Sequence, residues 1–175
     1  MPTAVQRFDT ALTKRIQALG PRWLWFFQKM TLFGQPVFGI GIAALISFYG
    51  EYTQDWRLML AGMIVAAALL LSSAFKFVLR RKRPATLYAK SMFIKTYSFP
   101  SGHAAASASC FGLGAYLLLT SGNPLLIATG SITIPLLIAV GVSRVYLGAH
   151  YPTDIIGGWI LGGLGLAAAI WVVSL

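Results

Sequence analysis

The sequence predicts an all-α integral membrane protein, a bundle of about five transmembrane helices preceded by an amphipathic helix at the membrane interface. Two observations support this class. Of the 175 residues, 57% are hydrophobic and 10% are charged, which is too apolar for a soluble domain of this size. The chain also holds five uncharged stretches, each near the roughly 20 residues that a helix needs to cross a bilayer.

Residues 1–29 are predicted to form an N-terminal amphipathic and interfacial segment. Within it, residues 4–19 place apolar side chains three and four positions apart, which is typical of a helix lying on a bilayer surface. These side chains are Val5, Phe8, Leu12, Ile16 and Leu19. An interfacial aromatic belt then follows at Trp23, Trp25, Phe26 and Phe27. The alternative is an ordinary soluble helix followed by a core segment.

Residues 30–175 are predicted to form the membrane domain. Its five spans are Met30–Tyr49, Leu58–Phe75, Ala104–Thr120, Pro124–Val142 and Ile155–Val173. The connections between them are short except for Arg80–Pro100, which is long and basic. Two crossings separate the end of the second span from the end of the fourth. Parity therefore predicts that the polar segments at the end of the second span, the start of the third and the end of the fourth share one membrane face.

The segment between the fourth and fifth spans carries the residues best suited to catalysis. His150 is one of only two histidines, and Asp154 is the only carboxylate after residue 55. Ionisable groups among apolar residues are costly and are usually functional. Arg144 offers a fork of donors that suits phosphate oxygens. His150 is a candidate nucleophile, and Asp154, four residues on, is close enough to fix its tautomer.

Two further segments on the same face supply cations and a helix start. Lys76 and Arg83 are seven residues apart, so a helix that continued to Arg83 would present both on one side. For the residues between them, Arg80, Arg81 and Lys82, the favoured interpretation is contact with lipid phosphates or a role as a topology anchor.

Near the start of the third span, Ser101 is a predicted N-cap, and Gly102 allows a close approach to backbone N–H groups. His103 follows directly. Taken alone, it is as compatible with a structural cap as with a catalytic acid. Its predicted place on the same face as His150 favours the catalytic interpretation.

These three segments together resemble the signature of the type 2 phosphatidic acid phosphatase superfamily. The matching parts are Lys76-x6-Arg83-Pro84, Pro100-Ser101-Gly102-His103 and Ser143-Arg144-x5-His150-x3-Asp154. The resemblance implies that His150 attacks phosphorus, that Asp154 orients it, and that His103 protonates the leaving oxygen. It also implies phosphoryl-binding roles for the remaining signature residues: Lys76, Arg83, Arg144, Ser101 and Gly102.

The expected reaction is metal-independent hydrolysis of a lipid phosphate or diphosphate through a phosphohistidine, with no cofactor. Phosphoryl transfer is catalysed mainly by positioning and fixed positive charge, and three cations can provide that charge. The net charge of +10 fits an anionic lipid in the bilayer better than a nucleic acid. Candidate substrates are undecaprenyl diphosphate, phosphatidylglycerol phosphate, phosphatidic acid and lipid A phosphate. The alternative is a protein that binds or transports such a lipid without hydrolysis.

Three structural expectations remain. Members of the superfamily often have six spans, whereas this chain is expected to have five. The resemblance places the active site on the periplasmic or exterior side. The positive-inside rule predicts the reverse, because only Arg57 of the 14 Lys and Arg residues lies on the face opposite the active site. The Gly158-x3-Gly162 spacing is expected to serve helix packing within a monomer rather than dimerisation.

Overall fold

The computed structural model describes residues 2–92 and 96–175, and in these residues it contains helices and no strands. The helices are α1 (Ala4–Gln17), α2 (Leu24–Phe33), α3 (Pro36–Tyr52), α4 (Trp56–Leu79), α5 (Leu87–Ser91), α6 (Gly102–Ala106), α7 (Gly112–Leu119), α8 (Pro124–Tyr146) and α9 (Pro152–Val173). A 3₁₀ turn at Pro21–Trp23 precedes α2, and a π-helical turn at Ser107–Phe111 joins α6 to α7. The predicted all-α class is confirmed.

Five helical segments of the described chain are long and apolar enough to cross a membrane, as predicted. By length and composition they are Pro21–Tyr52, Trp56–Leu79, Gly102–Leu119, Pro124–Tyr146 and Pro152–Val173. Each helical segment is longer, at one end or both, than the apolar stretch from which it was predicted, because several helices begin at a polar cap or a proline outside that stretch. Asp55, for example, accepts hydrogen bonds from the N–H groups of Arg57 and Leu58 at the start of α4.

The first span differs most from its prediction. Helical structure begins at Pro21 rather than Met30, and Gly34 separates α2 from α3. Part of the predicted aromatic belt therefore lies in a helix and packs against the rest of the bundle. Phe27 is buried and its ring lies 4.4 Å from that of Tyr146, whereas Trp25 is exposed.

The prediction that a helix continues to Arg83 is wrong. Helix α4 ends at Leu79, and Arg80 takes the left-handed conformation with φ 46°. Its N–H still donates to the Lys76 carbonyl, which is a common way to finish a helix. The chain therefore turns away between Lys76 and Arg83, and their convergence depends on tertiary contacts instead of one helix face.

Small residues bring α9 against α6 and so set the position of the polar segments. A Cβ on Gly158 would lie 2.5 Å from the Ser101 carbonyl oxygen, and one on Gly162 would lie 2.4 Å from the Ala105 carbonyl oxygen. Such approach requires glycine. The start of α9 therefore lies beside the start of α6, and the expectation that these glycines pack within the chain is confirmed.

Helix α1 forms as predicted, with Thr3 as its N-cap. Its side chains Leu12 and Ile16 line a groove with Val145, Ile155 and Trp159. Val5 and Phe8 are exposed on the remaining surface. The helix therefore packs against the signature ends of α8 and α9.

Candidate active site

The three predicted phosphate-binding cations lie at the same end of the helix bundle. Lys76, in the last turn of α4, is buried, and its Nζ donates to the Pro100 carbonyl at 2.5 Å. Its Cε lies 4.0 Å from where a Cβ on Gly102 would be. The end of the Lys76 side chain therefore lies next to the start of α6.

Arg83 is held by two segments of the chain, one at Thr96 and one at Ala149 and His150. Its Nε donates to the Thr96 carbonyl at 2.8 Å and its Nη2 to the Thr96 hydroxyl at 3.1 Å. Its Nη1 donates to the Ala149 carbonyl at 3.1 Å and lies 3.1 Å from Nε2 of His150. Burial, and then the charge of Arg144, lower the pKa of Arg83 from its usual value. The guanidinium still carries its charge at neutral pH.

Arg144 lies inside the last turn of α8, almost fully buried. Its Nη1 donates to the hydroxyls of Thr31 and, at 3.3 Å, of Tyr88, and its guanidinium carbon is 5.7 Å from the Tyr88 ring. Its buried Nε has no hydrogen-bond partner among the residues that the structure describes. A buried unpaired donor is costly, so this N–H is available to an anion.

The surroundings of His150 define its tautomer. Arginine can only donate hydrogen bonds, so Nε2, facing Arg83, must carry the lone pair. The proton then sits on Nδ1, which lies 3.5 Å from both Asp154 Oδ2 and the Ser98 hydroxyl. Burial lowers the pKa of His150 to about 3, with the charges of Arg144, Arg83 and Lys76 acting in the same direction against the hydrogen bond of Asp154. At neutral pH the ring is therefore uncharged, as a nucleophile must be.

Asp154 occupies the first turn of α9 and is fully buried. Its Oδ2 accepts the Ser98 hydroxyl and, at 2.8 Å, the Tyr151 N–H. Its Oδ1 accepts Nη1 of Arg81 at 2.6 Å. These bonds hold the carboxylate beside Nδ1 of His150.

The start of α6 lies against the same cluster. Ser101 is its N-cap, as predicted, and accepts the Ala104 N–H, while the Ser101 N–H donates to the Asp154 carbonyl at 2.9 Å. His103, half-buried in the first turn, is close enough to Arg144, Lys76 and Arg83 for their charges to act on it. The structure thus brings all eight predicted site residues together at one end of the bundle, while their chemical roles stay predictions.

The structure corrects the interpretation of Arg81 as a contact for lipid phosphates. Its guanidinium instead bridges Asp154 and Asp9, the latter at 2.5 Å, and stacks over Tyr151 at 4.4 Å. Sequence reasoning missed this bridge, and also missed Ser98. The signal for Ser98 was weak: it is a serine two residues before the Pro100 segment, with no spacing that links it to Asp154.

The donor set is cationic rather than metal-binding. Within the described residues, no group of three or more His, Cys, Asp or Glu side chains could hold a metal ion. Carboxylates that normally bind magnesium are replaced around His150 by Lys76, Arg83 and Arg144. The residues present therefore fit direct binding of a phosphate, and metal independence stays a prediction.

The fold and the site together define an integral membrane hydrolase of phosphate esters. The chain belongs to the PAP2 superfamily, whose family model matches residues 57–175. It is a lipid phosphatase of this family, which confirms the resemblance seen in the sequence.

Known proteins support this assignment over most of the chain. Phosphatidylglycerophosphatase B of Bacillus subtilis is 31% identical over 170 residues, covering 91% of this chain and 80% of that protein. Undecaprenyl-diphosphatase of Sulfolobus acidocaldarius is 28% identical over 137 residues, covering 76% and 62%. The crystal structure of a transmembrane PAP2-type phosphatidylglycerolphosphate phosphatase from Bacillus subtilis matches with a TM-score of 0.80 at 28% identity, covering 99% of this chain and 88% of that one.

Proposed function

We propose that this lipid phosphatase hydrolyses the phosphate monoester of a glycerophospholipid, phosphatidylglycerol phosphate, through a covalent phosphohistidine at His150. The observation that carries the mechanism is the pair of contacts on the His150 ring. Arg83 lies at Nε2, and Asp154 with Ser98 lies at Nδ1. This arrangement supports a neutral imidazole whose free lone pair points toward a phosphate-binding arginine.

In the first step, the Nε2 lone pair of His150 attacks phosphorus and the bond from phosphorus to the lipid oxygen breaks. His103 donates its proton to that oxygen, so the lipid leaves as an alcohol. The Nδ1 proton stays on the ring and faces Asp154, which stabilises the positive charge that develops on the imidazole. The product of this step is a phosphohistidine.

In the second step, His103 takes a proton from water as the water oxygen attacks phosphorus. The bond between phosphorus and Nε2 breaks, inorganic phosphate forms, and His150 is again neutral. Lys76, Arg83 and Arg144 neutralise the phosphoryl oxygens in both steps. Because these groups are fixed by the protein, they stabilise the transition state with little reorganisation.

The choice of substrate rests on two arguments. Two relatives that match more than nine tenths of this chain, one by sequence and one by structure, act by name on phosphatidylglycerol phosphate. The site also lies at the helix ends, near headgroup depth, so a lipid phosphate can reach it with its tail in the hydrocarbon. Undecaprenyl diphosphate is the second candidate, from the relative that is 28% identical.

The test is phosphate release by the detergent-solubilised protein in the presence of EDTA, on a panel of lipid phosphates. We expect the highest kcat/KM on phosphatidylglycerol phosphate and none from His150→Ala. Cys110→Ala, at a buried residue away from the cluster, is the control. A higher kcat/KM on a diphosphate would overturn the substrate, turnover by a well-folded His150→Ala would overturn the mechanism, and loss of activity in EDTA would overturn metal independence.

A further inference from the structure

We infer that Asp9 and Arg81 are positioning residues of the active site, which fix the Asp154 carboxylate in the direction that serves His150. The inference rests on the proposed role of Asp154. It gives a function to a chain of ion pairs, with two buried carboxylates and a half-buried arginine, that runs from the N-terminal helix α1 to the start of α9.

The guanidinium of Arg81 connects the two carboxylates. Its Nη1 donates to Asp154 Oδ1 at 2.6 Å and to the Thr153 hydroxyl at 2.7 Å, and its Nη2 donates to Asp9 Oδ2 at 2.5 Å. The same group lies 4.4 Å from the centre of the Tyr151 ring. Contacts on both edges and on one face leave the guanidinium little freedom to turn.

Asp9 holds Arg81 in place and also caps the start of α9. It is only 2% exposed, although it belongs to an amphipathic surface helix. Its Oδ1 accepts the Thr153 N–H at 2.9 Å and its Oδ2 the Thr153 hydroxyl at 2.8 Å. Since Tyr151, the N-cap of α9, makes no side-chain cap bond, Asp9 satisfies one of the free N–H groups from another helix.

These contacts decide which way the Asp154 carboxylate faces. The torsion that turns an aspartate carboxylate is broad and two-fold, so its direction is set by its hydrogen bonds. Arg81 holds Oδ1, and this leaves Oδ2 for Ser98, the Tyr151 N–H and the Nδ1 side of His150. Without Arg81 the buried carboxylate would lose its charged partner, and only the bonds of Oδ2 to Ser98 and to the Tyr151 N–H would hold its direction.

Asp9 also occupies the Nη2 end of the Arg81 guanidinium. Without Asp9 this end would be attracted to the nearby phosphate, because phosphate binds arginine readily in a bidentate way. Paired with Asp9, Arg81 serves Asp154 instead. Helix α1 therefore contributes to catalysis even though it precedes the residues 57–175 that the family model matches.

Steady-state kinetics of Arg81→Gln and Asp9→Asn test this inference. We expect Arg81→Gln to lower kcat about 10- to 100-fold, as loss of an orienting partner commonly does. KM, and the inhibition constant of inorganic phosphate, should change by less than about threefold, because the substrate-binding cations are untouched. Asp9→Asn should lower kcat about 10-fold, and Arg81→Lys should recover part of the loss in Arg81→Gln.

Asp55→Asn is the matched control, because Asp55 also caps a helix start, at α4, and makes no contact with the cluster. It should leave kcat unchanged, whereas Asp9→Asn, which weakens a buried ion pair, should lower both Tm and kcat. Wild-type kcat in Arg81→Gln would overturn the inference, as would an equal loss of kcat in Asp55→Asn. If Arg81→Gln does not fold, Asp9→Asn decides alone.

Asp154→Asn separates the inference from the mechanism on which it rests. A loss of kcat in Asp154→Asn together with a wild-type kcat in Arg81→Gln would overturn the positioning role only. A wild-type kcat in Asp154→Asn would overturn the proposed role of Asp154, and the positioning role with it.

Discussion

Nη1 of Arg83 lies 3.1 Å from Nε2 of His150, the nitrogen that is proposed to attack phosphorus. In the reaction this guanidinium must move from Nε2 to a phosphoryl oxygen. The contact thus holds the Nε2 lone pair in one direction and shields this nitrogen until an anion binds Arg83 in its place. It also explains how a histidine surrounded by cations stays neutral, because protonation at Nε2 would place two donors and two positive charges face to face.

Asp154→Asn is expected to lower kcat by about three to four orders of magnitude, in line with tautomer loss in a comparable nucleophile–base pair. The asparagine amide would donate toward Nδ1 and favour the tautomer whose proton lies on Nε2, facing Arg83. KM should change little. Initial rates on phosphatidylglycerol phosphate measure the effect, with Asp55→Asn as the control, and a kcat within tenfold of wild type would contradict the assignment of Asp154 (about 1.4 kcal/mol in barrier).

His103→Ala is expected to be most damaging for substrates with poor leaving groups. A lipid alcohol needs a proton as it departs, whereas a nitrophenyl ester or a diphosphate leaves more readily without one. The ratio of wild-type to variant kcat should therefore be largest for phosphatidylglycerol phosphate. Comparing these substrates in one detergent tests the role, and an equal loss on all of them would argue against a general acid.

Much of this site was predictable, because membrane crossings restrict where a segment can lie. Counting crossings correctly placed Lys76, His103 and His150 at one end. The Arg81 bridge was not predictable, since a run of basic residues after a span has the same composition whether its members face lipid or a carboxylate. Its partner Asp9 is 72 positions away in the chain, and only tertiary packing of α1 reveals the pair. The end of α4 was missed because Arg80, not a glycine, takes the left-handed conformation.

The stability of the protein should depend on pH through His150. Its pKa is lowered to about 3 by burial, and an unfolded histidine titrates near 6.5. Between these values the unfolded state binds more protons, so the stability from the neutral buried ring is complete above about pH 6.5 and is lost as pH falls toward 3. Tm of the solubilised protein should fall over this range. His150→Gln should reduce the slope, and an unchanged slope would contradict the prediction.

We predict that the active site faces the exterior or periplasm. Lys82→Cys would place a thiol on the exposed surface beside the site, while Cys110, the single native cysteine, is buried. A membrane-impermeant maleimide should label Lys82→Cys in intact cells. Gln54→Cys, exposed at the opposite end between α3 and α4, should be labelled only after lysis. The reverse pattern would place the active site in the cytoplasm, as the distribution of basic residues alone suggests.

Substrate is expected to enter sideways from the bilayer beside the long connection Arg80–Pro100, whose helix α5 already contacts the site. Tyr88 accepts a hydrogen bond from Arg144, and Met92 Sδ lies 3.5 Å from Nη1 of Arg83. We expect Leu87 and Lys90, which are exposed on the same helix, to take part in entry, together with Phe93 and Lys95, which lie outside the described residues.

Movement of this helix would uncover both arginines, while the tail of the lipid stays in the hydrocarbon. Each methylene kept out of water is worth roughly 0.8 kcal/mol, so removing four should raise the apparent KM by about two orders of magnitude and leave kcat nearly unchanged. A series of phosphatidic acids from long to short chains measures this dependence. Tyr88→Phe, which keeps the aromatic ring and removes only the hydroxyl that Arg144 contacts, is assayed in parallel as the control. Equal kcat/KM for a soluble phosphate ester and a long-chain lipid would show that substrate reaches His150 from water, and the sideways path would then be wrong.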